Sequence, residues 1–147
     1  MTATEKNSSD LFTNPIVSVR NPEKFNQQLL DGRIDQYKKA KDSLKKSIFF
    51  DRGIPDVHAY MHCFGQGYDE EFEQPCYTFR YDEIFLMPPW KDIYSSDNER
   101  FETFEESVRI YEYLKETYTN FGYEVCLVPK ESIEKRAQYI LDFLNLK

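Results

Sequence analysis

The sequence predicts an α/β fold, a parallel sheet covered by helices on both faces in three layers. Three observations carry this. Helical and extended patterns alternate along the chain, in the order helix, strand, helix, strand, helix, strand, helix, which argues for parallel strands joined by crossovers. The strand candidates 47–51, 82–87 and 123–128 are mostly apolar rather than alternating, as expected when both sheet faces are covered. Each is stopped by Gly or Pro, at Gly53, Pro88-Pro89 and Pro129. The chain has 147 residues, 40% of them apolar and 16% aromatic, which suits one domain with a real core.

Residues 1–14 are polar and aperiodic and read as a mobile tail, with residues 15–147 forming the single domain. Asn21 is placed to cap a helix, with Pro22 at its first position and Glu23 in its first turn. Phe25, Leu29, Leu30, Ile34, Tyr37 and Leu44 then recur at helical spacing over about 22–45. Lys38, Lys39, Lys41, Lys45 and Lys46 crowd its end, where cations complement the helix dipole.

The run Ser47-Ile48-Phe49-Phe50 follows and ends in Asp51-Arg52-Gly53. In open α/β sheets the ligand crevice lies beyond the carboxyl ends of the strands. An Asp there can hold hydrated Mg²⁺, and an Arg beside it a phosphate or carboxylate. The alternative is a structural turn whose Asp caps the next helix.

Pro55 opens a helix through Phe64, and Gly65 and Gly67 end it. Asp69, Glu70, Glu71 and Glu73 read as an acidic, solvated connection. Tyr81–Met87 is a second strand, and the polar, aromatic segment 90–102 has no clear period. Thr103 and Glu106 form a capping box ahead of a helix to about 120. Gly122 stops that helix, Tyr123–Val128 is a third strand, and Ile133, Ala137, Ile140, Leu141 and Leu144 mark a last helix over about 131–145. With parallel strands, Asp51, Arg52 and Pro88 are expected at one shared edge.

Several function classes recede. A net charge of −7 argues against binding nucleic acid through a broad basic face. No apolar run is long enough to span a bilayer, and the start lacks the basic and apolar stretches of a signal peptide. Cys63, Cys76 and Cys126 are odd in number and widely spaced, which suggests reduced thiols and a cytoplasmic protein. His58 and His62 have a zinc-compatible spacing, but no glutamate intervenes and no fourth ligand is evident, so they read as helix-surface or boundary histidines.

F-F-D-R-G-I-P-D at 49–56, F-L-M-P-P-W at 85–90, Y-S-S-D-N-E-R at 94–100, G-Y-E-V at 122–125 and the spaced Arg136 occur in one order. Together they resemble a family of AAA-type P-loop NTPase domains similar to the nicotinamide-riboside-kinase domain of NadR. The resemblance implies a nucleotide-kinase-like parallel sheet with ATP and Mg²⁺ as cofactors. Asp51 would position the metal through water, Arg52 and Asp56 would face the acceptor or phosphates, and 90–100 would be a lid with Arg100 supplying positive charge. Trp90, Tyr94 and Arg136 would contact the nucleotide. Phosphoryl transfer depends on such positioning and charge neutralisation.

The chain departs from that family in one respect. The family carries G-x-x-x-x-G-K-[ST] near its start, and none of the five glycines here precedes Lys-Ser or Lys-Thr. The resemblance therefore implies a sheet truncated at its N-terminus, without the first strand, phosphate loop and first helix. The missing loop supplies charged hydrogen bonds of roughly 1.5–3 kcal/mol each, so losing three or four costs about 5–10 kcal/mol. That turns micromolar ATP binding into essentially none. The expected function is an ATP/Mg²⁺-dependent P-loop NTPase or small-molecule kinase-like domain, inactive in this form, with a non-catalytic remnant or interaction module as the alternative. Self-association through the unpaired edges of 47–51 and 82–87 is expected as well.

Overall fold

In the computed structural model, residues 21–91 and 103–146 are described. The expected tail 1–14, and Tyr94 and Arg100 of the expected lid, lie outside them. The order is α1 (Pro22–Lys41), α2 (Ile54–Cys63), α3 (Glu70–Thr78), β1 (Ile84–Leu86), α4 (Phe104–Asn120), β2 (Val125–Leu127) and α5 (Ile133–Phe143).

The helices begin where their caps place them. Asn21 accepts the Lys24 N–H at 3.1 Å and starts α1. Thr103 Oγ1 accepts the Glu106 N–H while the Glu106 carboxylate accepts the Thr103 N–H, so the capping box forms as expected. Ser132 accepts the Lys135 N–H ahead of α5. α1 stops at Lys41, short of Leu44, which is left fully exposed.

α3 is a correction to the sequence reading, which took 69–73 for a connection. Asp69 accepts the Phe72 N–H, and Glu70, Glu71 and Glu73 form a first turn whose charge opposes the positive end of the helix dipole. The acidic run is a helix start. Pro75, in the sixth position, costs the helix one backbone donor.

The core is centred on α2 rather than on a sheet. Ile54, Val57, Ala59, Met61 and Cys63 are all buried. One cluster joins Leu30 and Tyr37 of α1, Ile54, Cys76 and Phe121. A second joins Val57 and Met61 to Phe25, Leu29, Phe64 and Tyr68. β1 and β2 are parallel, with Ile84 opposite Val125, Phe85 opposite Cys126 and Leu86 opposite Leu127. The Val128 N–H adds a bond of 2.9 Å to the Leu86 carbonyl. α4 is the crossover between them. No helix among the described residues is long and apolar enough to cross a membrane.

The expected third strand does not pair. Residues 47–50 have no ladder partner among the described residues, and Ile48 and Phe49 are 38% and 60% exposed. The apolar pattern of this run is local, whereas a strand needs a neighbour to bond with, and here a cavity separates it from β1. The α/β class and the parallel pairing hold, but among the described residues the sheet has two strands and lies beside a helical core, not the expected three-layer arrangement.

His58 is a second correction, being fully buried instead of at a boundary. Its Nε2 lies 2.6 Å from the Phe72 carbonyl and its Nδ1 3.4 Å from Cys76 Sγ. The shorter contact assigns the ring proton to Nε2, leaving Nδ1 to accept from the thiol. Burial lowers the His58 pKa against the smaller opposing effect of its carbonyl partners. Burial likewise raises that of Cys76 to about 12, so the thiol stays protonated.

Because the folded pKa of His58 is lowered, the unfolded chain binds more protons below the ordinary histidine value. Stability should therefore fall as pH drops below about 6.5, with a slope of at most about 1.4 kcal/mol per pH unit. Urea titrations between pH 7.5 and 5.5 should show this loss in the native chain and a flatter profile in His58→Gln. Equal slopes in both proteins would count against the assignment.

Candidate functional site

The turn 51–56 is built from its own hydrogen bonds before any ligand is considered. Arg52 has φ +78°, a left-handed conformation costly for a side chain with a Cβ. Its guanidinium donates to Tyr60 Oη at 3.0 Å and lies over the Tyr60 ring. The Gly53 carbonyl accepts from Arg33 Nη1 at 2.9 Å. The Ile54 N–H donates to Tyr81 Oη at 2.9 Å, satisfying one of the free donors at the start of α2.

Asp56 closes the turn from below. It is buried, and its Oδ1 accepts the Gly53 N–H at 2.9 Å and the Tyr118 hydroxyl. Burial, with Asp56 beside it, raises the Tyr118 pKa and keeps the phenol a donor. A Cβ on Gly53 would lie 2.6 Å from Tyr118 Oη and 3.1 Å from the Tyr81 ring, so any side chain there has to displace them.

Above the turn is a cavity of about 730 Å³, lined among others by Lys41, Lys45, Asp51, Arg52, Arg80 and Tyr81. Asp51 is exposed at its wall. Phe50 stacks on Tyr37 and meets Tyr81 edge-on at 5.2 Å. Tyr81 precedes β1, so the turn sits at the start of that strand.

The candidate residues thus form two groups. Asp51, Arg52 and Asp56 come together at the start of β1. Trp90 and Arg136 lie past its other end, with Arg136 Nη1 3.9 Å from Met87 Sδ. The expected shared edge of Asp51, Arg52 and Pro88 is not formed, because 47–50 does not run in the sheet beside β1. Tyr94 and Arg100 are outside the described residues.

These residues do not fit Mg-ATP. Asp56 is engaged by Gly53 and Tyr118, and no group of three metal-ligating side chains occurs among the described residues. The chain also lacks the Gly-rich loop whose N–H groups and lysine cradle the phosphates.

Tyr81, Tyr118 and Arg33 hold the turn but were not singled out in the sequence. Tyr118 lies on the helical apolar stripe and reads as core. Its only signal is that a buried phenol needs a hydrogen-bond partner. Arg33 lies among the polar residues of α1 and carries no local mark.

Gly53→Ala should destabilise the chain by about 1–3 kcal/mol through overpacking against Tyr118 and Tyr81. Tyr118→Phe should cost about 1–3 kcal/mol by withdrawing a donor from a buried carboxylate. Because the phenol oxygen is the clashing atom, the double variant should cost less than the sum of the singles. Urea denaturation of all four proteins reads this coupling, and simple additivity would show that the two groups do not meet.

The AAA domain family matches residues 3–136 of the chain. No curated protein and no solved structure matches it. The match takes in the turn at 51–56, both strands and α4, and extends into α5 as far as Arg136. With most of its length inside that match, the chain belongs to the AAA domain family, whose members have a P-loop NTPase-like fold.

Proposed function

We propose that this chain is a P-loop NTPase-like module that does not turn over ATP by itself. The observation that carries the reading is the state of its acidic turn. Asp56, which would face the acceptor in a kinase-like site, spends its Oδ1 on the Gly53 N–H and the Tyr118 hydroxyl. Arg52 is held by Tyr60. Groups tied down in this way stabilise α2 and the core beneath it. Trp90 and Arg136 are at the far end of β1 and do not line the cavity above the turn.

The finer kinase-like assignment, with Asp51 positioning Mg²⁺, belongs to an arrangement in which a Gly-rich phosphate loop is also supplied. Asp51 supports that assignment in one respect, since its carboxylate is exposed at the cavity wall.

Calorimetric titration of the chain with Mg-ATP, paired with a phosphate-release assay, tests the proposal. The expected result is no saturable heat in the micromolar range and no phosphate above the buffer rate. A micromolar dissociation constant or measurable turnover would overturn it, and would mean that Arg52 and the lysines around 38–46 serve as a phosphate cradle.

A further inference from the structure

β1 is paired along one edge. That edge bonds to β2, and no hydrogen bond among the described residues uses the other. The other edge borders the cavity, since the successive residues 82–87 all line it. Side chains of a strand alternate between its faces, so a cavity lined by successive residues is bordered by backbone as well. With three residues in each strand the ladder is short, and a two-stranded sheet is marginal by itself.

The facing wall is the segment between α1 and α2. It bends at Lys46 and again at Asp51, so it bounds the opening without supplying a strand. α5, none of whose residues is buried, lends Ile140 to the lining, and Leu144 follows from its end. The cavity of about 730 Å³ thus offers apolar side chains together with free backbone donors and acceptors. An apolar small molecule would leave those backbone groups without partners, whereas an extended peptide satisfies both. The charges at the opening are unpaired on both sides. Lys45 and Lys46 line one wall, Asp82 and Glu83 the other, and none forms an ion pair among the described residues. A segment with an acid at one end of an apolar run and a base at the other answers both signs. A second copy of this chain does not fit. The free β1 edge lies behind 45–53, so two such edges cannot meet, and the apolar run 47–50 is itself the wall.

We propose that the cavity is a peptide-docking groove, in which an extended segment of a different protein adds to the free edge of β1 as a third strand. The segment is apolar and β-branched over about five residues, the usual length of a strand, with opposite charges at its two ends. Main-chain bonds to β1 supply affinity, and the apolar walls and the charged rim supply selectivity. The inference is independent of whether the turn ever serves a nucleotide.

Two fluorescein-labelled peptides test this, Glu-Glu-Val-Ile-Val-Thr-Val-Lys-Lys and its counterpart with the charged ends exchanged, each titrated with the full chain by anisotropy. One of them should bind with a dissociation constant of about 1–100 μM, the range of a small, transient contact. N-methylation of alternate central residues removes the donors from one edge of the peptide. Methylation in one phase should abolish binding, and in the other phase leave it within about threefold, because only one edge of the peptide meets β1. The variant Lys45→Glu/Lys46→Glu should weaken binding by about tenfold, and replacing the peptide's glutamates by lysine should recover it. Both lysines are exposed, so folding is preserved, and far-UV circular dichroism verifies it. No saturable binding of either peptide below about 1 mM would overturn the proposal. So would equal effects of the two methylation phases, or binding indifferent to the lysine variant.

Discussion

The structure depends on one close approach, that of the Tyr118 hydroxyl and the Tyr81 ring to the backbone at Gly53. Because position 53 has no side chain, α4 can bring Tyr118 onto Asp56 and the start of α2 can lie against Tyr81. That single contact ties together the turn, the most buried helix, the crossover helix and the start of β1. Every polar group it brings inside finds a partner: the Gly53 N–H on Asp56, the Gly53 carbonyl on Arg33 and the Ile54 N–H on Tyr81. In a buried setting a donor left without a partner costs about 1–3 kcal/mol, so the completeness of the set matters more than any one bond in it.

The same arrangement explains why an acidic turn with an arginine need not be a reactive one. Asp56 is occupied within the fold, and the backbone strain at Arg52 is offset by the hydrogen bond and ring contact with Tyr60. Strained, charged turns often mark functional sites, but strain is also tolerated wherever surrounding contacts determine the conformation. Family membership gives the turn a history among P-loop NTPase-like domains. The local chemistry of this chain gives it a structural task.

What could be read from the sequence was local. The caps at Asn21, Thr103–Glu106 and Ser132 depend on residues three positions apart, and Asn21 and the capping box were visible as patterns. The two paired strands were found because their apolar runs end at Pro88 and Pro129, though only three residues of each enter the ladder. What could not be read was non-local. Ile48-Phe49-Phe50 has the composition of a strand, yet pairing is a property of two segments. His58 resembled a surface histidine until Phe72 and Cys76, from 14 and 18 residues further on, closed over it. α3 was missed because three glutamates in four residues look like solvent-facing loop, and only Asp69 ahead of them marks a helix start. Of the site, Asp51, Arg52 and Asp56 were legible as a cluster, while the tyrosines that immobilise them come from positions 81 and 118.

The small sheet has a consequence for the order in which the molecule assembles. β1 and β2 contribute three residues each, and Ile84 meets Val125 only after the chain has travelled through the whole of α4. Closing so long a loop forfeits entropy that a three-residue ladder cannot return unaided. The helices α1, α2 and α3, which follow one another along the chain, can dock first and offer α4 a surface through Asp56 and Ile54. The strands then meet as a result of that docking. Such a late, locally sustained element is also the first to open in the native state, so amide exchange at Phe85 and Cys126 would be governed by breathing of α4 rather than by unfolding of the core.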